Sequence, residues 1–248
     1  MSTSRTRSRS TDRSIALAQA GARRPDMTWR QLYKAGGWSA LLYVLLVVVP
    51  VALVFLAPPP PSEGAALLEY IGAHKVVYLT ELVCFVGLGV PALVVFGALA
   101  VALKDTNRTV AAIGGLFGIA SEVIALALGS SPESLHGGLV LLSNAYLTGG
   151  EDADRAGLVS AADALMAATN AVSWAGILTA AAILLLSLGM RRQFFGPLLR
   201  PLGVIAGAAG LVSEALRPMI GAGYLIYGLL LPTWFALVAW KLLRLDRG

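Results

Sequence analysis

Six long apolar segments separated by short polar connections dominate the pattern of this 248-residue chain. Each is close to the roughly twenty residues that a helix needs to cross about 30 Å of hydrocarbon, and the fifth is the shortest. The pattern therefore predicts an all-α polytopic membrane protein, a six-helix transmembrane bundle. The expected spans are 38–57, 76–103, 110–129, 171–190, 202–218 and 222–240.

The residues outside the spans divide into two tails and one interfacial segment. Residues 1–25 are rich in Arg, Ser and Thr and lack the apolar residues of a core, so we expect a disordered basic tail. Apolar residues at helical spacing in 26–37 predict a short amphipathic helix lying in the membrane interface. The transmembrane domain is expected to occupy 38–241, and 242–248 to form the second tail.

The longest interruption lies between the third and fourth expected spans. It contains an apolar stretch, 135–147, that is too short to cross and favours an interfacial or re-entrant helix. From Asp154 a helical stripe leads into the fourth span, and a helix continuous to Met190 would be roughly 55 Å long. We therefore expect residues 130–169 to form a cap over one end of the bundle.

Composition and charge agree with a membrane location. Hydrophobic residues make up 57% of the chain and charged residues 13%, against about 25% charged in soluble domains. The net charge of +5 therefore does not indicate nucleic-acid binding. Sixteen of the 19 Lys and Arg residues lie in the tails and on alternate connections, which share one side of the membrane. An excess of Lys and Arg marks the cytoplasmic side of a membrane protein. We expect both termini in the cytoplasm, with the N-terminal tail attracted to anionic lipid.

Three glutamates inside the apolar segments are the main candidates for a functional site. An ionisable side chain in hydrocarbon costs at least about 2 kcal/mol unless something compensates it. At 1.5 Å per residue, all three lie about 6 to 10 Å below the interface on the cap side. The candidates are Glu81, Glu122 and Glu214, with Arg217, His74 and His136 as nearby partners.

Three interpretations of this cluster stay open. In the first, it is a structural polar network in an accessory or scaffold subunit. In the second, it is an outward-facing pocket that binds, or moves, a small lipophilic or cationic ligand or a proton. In the third, a pair of carboxylates acts as acid and base on a lipid-like substrate. The two histidines and single cysteine form no metal-site or nucleophile motif. We therefore expect no metal or cofactor, and a binding function is favoured over an enzymatic one.

The third and fifth spans share a sequence pattern. Residues 113–122 align without gaps to 205–214, and an Ile, two Gly, a Ser and the final Glu coincide. Glycines four residues apart in both spans allow close helix contact. The alignment indicates either a parallel repeat that places these spans together or a chance likeness between two glycine-rich helices. We expect spans two, three and five to form an outward-facing acidic pocket that the 130–169 region covers.

Three short motifs carry a family resemblance. They are the run from Leu103 to Gly114 with Glu122 beyond it, Arg-Pro-Leu-Gly at 200–203, and Trp-Phe-Ala-Leu-Val-Ala-Trp-Lys-Leu at 234–242. Over roughly residues 34 to 245 the chain resembles the six-span bacterial membrane proteins catalogued as domain of unknown function 4386. The resemblance implies a six-span architecture in a bacterial inner membrane and no particular activity. Ile119 stands where that family often carries an arginine.

Overall fold

A computed structural model describes residues 26–131, 135–149 and 152–247. These residues are almost entirely helical, which confirms the predicted all-α class. Six helical segments among them are long and apolar enough to cross a membrane, as predicted, the fourth being counted from Asp154 to Gly189 across a break at 171–173. The expectation of a disordered basic tail at 1–25 falls outside the described residues.

The spans and the cap alternate along the chain. The spans are Arg30–Leu53 (after a 3-10 turn at Met27–Trp29), Lys75–Gly87 continued by Gly89–Leu103, Arg108–Leu128, Trp174–Gly189, Arg192–Ala215 and Tyr224–Arg247. The first, second and third cap helices are Gly64–Ala73, Gly137–Thr148 and Asp152–Asn170. Smaller elements are a hairpin of Ser130–Ser131 with Leu135–His136, a one-turn helix Arg217–Ile220 and a 3-10 turn Gly221–Gly223.

Local chemistry explains several helix boundaries. The side chain of Asn107 accepts a hydrogen bond from the amide of Val110 and begins the third span. That span ends at Gly129, whose φ of 57° is the left-handed conformation that glycine adopts most readily. The second span is interrupted at Leu88, shortly before Pro91. Proline lacks the amide that would bond to the preceding turn, which accounts for an interruption there.

Two expected helices have different boundaries in the structure. Residues 30–37, expected as part of a separate interfacial helix, are the first turns of the first span, which runs without a break to Leu53. The helix considered from Asp154 to Met190 is two helices. Ser173 is extended, with φ −99° and ψ 109°, and its side chain caps the second of them by accepting from the amide of Gly176.

The six spans form a closed ring in which each packs against its neighbours in sequence and the sixth packs against the first. The third and fifth spans therefore lie on either side of the fourth, and the pairing suggested by their shared pattern is wrong. Gly114 of the third span lies against Leu186, and Gly207 of the fifth lies against Leu184 and Ala180. The two glycine-rich spans thus make similar close contacts with the same partner helix.

Two hydrophobic cores lie one above the other. The bundle core contains fully buried aromatic residues such as Phe96, Trp234 and Phe235. The cap core is formed mainly by the three cap helices and the start of the second span, with Leu67 and Leu139 fully buried. The first cap helix belongs to this core, so the cap is larger than the expected 130–169.

The ends of the bundle differ in chemistry, and the outer wall is apolar. The end at which the described residues begin and finish, here the terminal end, has an Asp26–Lys104 ion pair at 2.9 Å. It also has two cations over the ring of Trp240, at 4.1 and 4.2 Å from the ring centroid. Large apolar side chains are exposed along the wall, among them Phe55 at 89%. Such a surface is typical of a lipid-facing wall.

Candidate functional site

Glu214 lies at the cap end of the fifth span and is only 2% exposed. Its Oε1 accepts hydrogen bonds from the Tyr224 hydroxyl at 2.7 Å and from Arg217 Nη2 at 2.9 Å. The same Nη2 lies 2.6 Å from Oε2 in an ion pair. The sequence prediction that Arg217 accompanies Glu214 is therefore confirmed, and the charge of this glutamate is compensated.

Arg217 connects the bundle to the cap. Its Nη1 donates to the carbonyl of Thr169, near the end of the third cap helix, at 3.4 Å. Its Nη2 also donates to the Tyr224 hydroxyl at 2.9 Å, and the guanidinium lies 5.1 Å from the centroid of that ring. One arginine thus joins the fifth span, the sixth span and the cap.

The carboxylate of Glu214 also lies against the first turn of the fourth span. A Cβ atom placed on Gly176 would collide with that carboxylate, so the two groups are in direct proximity. Gly176 is the third residue of this helix after the cap Ser173. The positive end of a helix dipole favours a negative charge at this place. The glycine therefore provides both the space and a favourable electrostatic environment for Glu214.

Glu122 is also buried, at 7% exposed, but its partners are weaker. Its Oε1 lies 3.3 Å from the hydroxyls of both Ser121 and Thr179. Each hydroxyl also donates to a carbonyl of its own helix, Ser121 to Gly118 at 2.7 Å and Thr179 to Ala175 at 3.1 Å. Because a hydroxyl has one proton to donate, Glu122 receives at best a shared bond from each.

No cation accompanies Glu122 in the part of the chain that the structure describes. The two ion pairs there join Asp26 to Lys104 and Glu214 to Arg217. Burying a charge without a partner is costly, and such groups are usually paired, ligated or neutralised. Among the described residues, Glu122 is therefore a buried carboxylate to which the fold supplies no ion-pair partner.

Two buried tyrosines of other spans lie near Glu122. Tyr43 of the first span and Tyr227 of the sixth both lie within electrostatic range of its carboxylate. Tyr43 stacks on Phe235 with ring centroids 3.7 Å apart, and Tyr227 packs edge-on against Tyr224 at 5.9 Å. With its carboxylate 7% exposed and in contact with Thr179, Glu122 lies inside the bundle.

The two glutamates meet the fourth span one helical turn apart. Glu214 lies against Gly176 and Glu122 against Thr179, positions separated by about 4.5 Å along a helix axis. We call the group Glu122, Thr179, Glu214, Arg217 and Tyr224 the bundle site. It is formed by spans three, four, five and six with the turn after span five, which corrects the expected pocket between spans two, three and five.

Glu81 belongs to a different environment. It is 8% exposed on the second span and interacts electrostatically with Tyr70, Tyr78 and Cys84. Tyr70 lies in the first cap helix, and burial, with a smaller contribution from Glu81, raises the pKa of its hydroxyl. The expected cluster of three glutamates is therefore split between the bundle site and the base of the cap.

Both histidines take part in the cap rather than in the bundle site. The ring of His74 stacks on Tyr70, with centroids 4.7 Å apart, where the first cap helix meets the second span. Nδ1 of His136 accepts from the amide of Gly138 at 2.9 Å and caps the second cap helix. The backbone amide of His136 donates to the Tyr78 hydroxyl at 3.0 Å.

Sequence reasoning missed several members of the site. Thr179 and Ser187 are the two hydroxyl residues of an otherwise apolar span, a signal that could have been used. Gly176 and Tyr224 gave no signal of their own, because their importance depends on which span packs beside Glu214.

Comparison of the chain with protein-family models, with curated proteins and with solved structures found no match in any of the three.

Proposed function

We propose that the protein is a bacterial inner-membrane protein with both termini in the cytoplasm and the cap outside. The distribution of Lys and Arg supports this orientation, since retained cations mark the cytoplasmic side. The motif resemblance to the family named domain of unknown function 4386 supports the bacterial assignment. A reporter enzyme that works only in the cytoplasm should be active when it is fused after the C-terminus. Activity of a reporter that works only in the periplasm, fused at the same place, would contradict the orientation.

For the function itself, we infer that the bundle site binds a small cation at Glu122, for which a proton competes. The observation that carries this proposal is a carboxylate that is 7% exposed, receives only shared hydroxyl bonds and has no cation among the described residues. A bound cation would supply the charge that the fold does not.

The donor set suits a small cation. Hard cations prefer oxygen ligands, and a carboxylate with two hydroxyls provides them. Glu214 offers no comparable site, because Arg217 already compensates its charge in an ion pair.

The packing supports binding more strongly than transport. Towards the terminal end, the bundle core contains fully buried Phe96, Trp234 and Phe235. A route through the ring would require these side chains to separate. We therefore propose a binding function at the cap end. A measured flux of the cation through the bundle would be needed to assign transport.

Thermal unfolding of the purified protein in lipid nanodiscs tests the proposal. Sodium, potassium and choline chlorides should be titrated at constant ionic strength against the wild type and Glu122→Gln. A bound ligand stabilises the folded state by RT ln(1 + [L]/Kd), about 2.7 kcal/mol at a hundred times Kd. We expect at least one cation to raise the wild-type midpoint and to have little effect on Glu122→Gln.

Glu81→Gln is the matched control, because it removes a buried carboxylate outside the bundle site. It should keep the cation response of the wild type. An equal response in Glu122→Gln and the wild type would contradict cation binding at Glu122.

A structural function as an accessory subunit is the second candidate, and the Glu214 network favours it. Arg217 joins two spans to the cap through bonds of 2.6 to 3.4 Å, which is what a structural connection requires. If no cation affects the unfolding of any variant, this candidate accounts for the whole bundle site.

A further inference from the structure

A groove on the outer wall, away from the bundle site, is lined by the cap-side half of the second span. It is a shallow, open depression of about 330 Å³ on one face of that helix. The lining residues are Val76, Leu79, Thr80, Val83 and Cys84. Their spacing places them on one helical face over about 12 Å of axis. The groove is therefore long enough to hold part of an extended hydrocarbon chain.

The wall of the groove is apolar in spite of its threonine. The Thr80 hydroxyl donates to the carbonyl of Val76 at 2.8 Å and so presents its methyl group to the surroundings. Val76 and Val83 are 78% and 67% exposed. In a helix long and apolar enough to cross a membrane, these exposed faces meet lipid rather than water.

A cation lies at the cap-side end of this groove. Lys75 is the first residue of the helix and immediately precedes Val76. Its Nζ donates to the side-chain oxygen of Asn144 at 2.9 Å, and the pair is exposed. Neither of the two ion pairs among the described residues includes Lys75. Its charge is thus available to an anion at the level where the groove ends.

We propose that the second span carries a binding site for a phospholipid with an anionic headgroup. An acyl chain lies in the groove, and the headgroup phosphate lies at Lys75. The amide nitrogen of Asn144 is a second donor at that place. Charge complementarity identifies the occupant, because an apolar groove ended by an unpaired cation matches an acyl chain attached to an anion.

Native mass spectrometry of the full chain in detergent tests this site by lipid titration. Phosphatidylglycerol and phosphatidylcholine with identical acyl chains should be compared. A basic residue near an anionic lipid contributes about 1 kcal/mol, close to a fivefold change in affinity. We expect the wild type to bind phosphatidylglycerol about fivefold more tightly than phosphatidylcholine at this site.

Two variants separate the headgroup from the acyl chain. Lys75→Gln should reduce phosphatidylglycerol binding to the level of phosphatidylcholine and leave phosphatidylcholine binding unchanged. Val83→Trp should fill the groove and weaken both lipids severalfold. The basic N-terminal tail is present in every variant, so its contribution to anionic lipid binding cancels in the comparison.

Matched controls are available for both variants. Arg155→Gln removes another exposed cation, in the third cap helix, and Leu116→Trp enlarges a side chain of similar exposure, 64%, on the third span. Both should bind the two lipids as the wild type does. Equal losses in Lys75→Gln and Arg155→Gln, or in Val83→Trp and Leu116→Trp, would overturn the proposal. Size-exclusion profiles confirm that each variant is folded.

Discussion

Glu122 and Glu214 end the same ten-residue pattern, yet the structure surrounds them differently. Glu214 is the penultimate residue of its helix, and the chain turns immediately afterwards to bring Arg217 back onto it. The third span continues for six residues beyond Glu122, to Leu128, and position i+3 is Ala125. The position of the helix end relative to the glutamate therefore decides whether the carboxylate is paired or left for a ligand.

The same comparison explains why one glutamate is structural and the other is a candidate binding residue. An ion pair formed within the chain stabilises only the folded protein, whereas an unpaired buried carboxylate gains from any cation that reaches it. The predictions below test this difference, beginning with the largest expected effect.

Arg217→Gln should destabilise the protein by about 3 to 5 kcal/mol, because removing one partner leaves the buried Glu214 charge uncompensated. Graded unfolding in mixed lipid and sodium dodecyl sulfate micelles measures the change. Arg155→Gln is the control for loss of a basic side chain. A change as small as that of the control would show that Glu214 does not depend on Arg217.

Ala125→Arg should give Glu122 the cation that the fold provides to Glu214, because residues three apart on a helix are neighbours. We expect the cation-dependent stabilisation, up to about 2.7 kcal/mol at a hundred times Kd, to disappear. Ala125→Gln controls for side-chain size. An undiminished cation response in Ala125→Arg would argue against Glu122 as the binding group.

Gly176→Ala should destabilise the protein by about 1 to 3 kcal/mol, the usual effect of inserting a methyl group into a packed site. The added Cβ would collide with the carboxylate of Glu214. Gly157→Ala is the control, because that glycine is helical with open space around it, and alanine there should stabilise slightly. Equal effects of both changes would mean that Glu214 does not lie against the fourth span.

The smallest expected effect concerns the terminal end. Hydrogen bonds from Lys104 and Thr28 lower the pKa of Asp26 from 3.8 to about 2. A lowered carboxyl pKa contributes stability above pH 3.8 that is lost as the pH falls through about 2. Asp26→Asn should therefore be slightly less stable than the wild type at pH 7, and the difference should vanish near pH 2. A pH-independent difference would contradict this assignment.

Much of the fold could be predicted from hydrophobic length alone. The six spans follow directly, because a bilayer requires about twenty apolar residues per helix. The first cap helix was missed, since Gly64–Ala73 is a ten-residue helix whose buried face is defined only by its contacts with the other two cap helices.

The site could be predicted only in part, for the same kind of reason. The Glu214–Arg217 pair is local in sequence and was found. The separation of Glu81 from Glu122 was not, because depth in the bilayer says nothing about which way a helix face points around the ring. The arrangement of the third and fifth spans on either side of the fourth likewise depends on tertiary packing. A glycine pattern shared by two helices indicates close packing but does not say which helix each one packs against.

Infrared difference spectroscopy of the membrane-reconstituted protein on cation exchange tests the central claim most directly. Replacing one bound cation by another perturbs the stretching bands of the carboxylate that ligates it. The proposed site predicts a carboxylate difference band that is present in the wild type and in Glu81→Gln and absent in Glu122→Gln. A band that persists unchanged in Glu122→Gln would contradict the claim that Glu122 holds the cation.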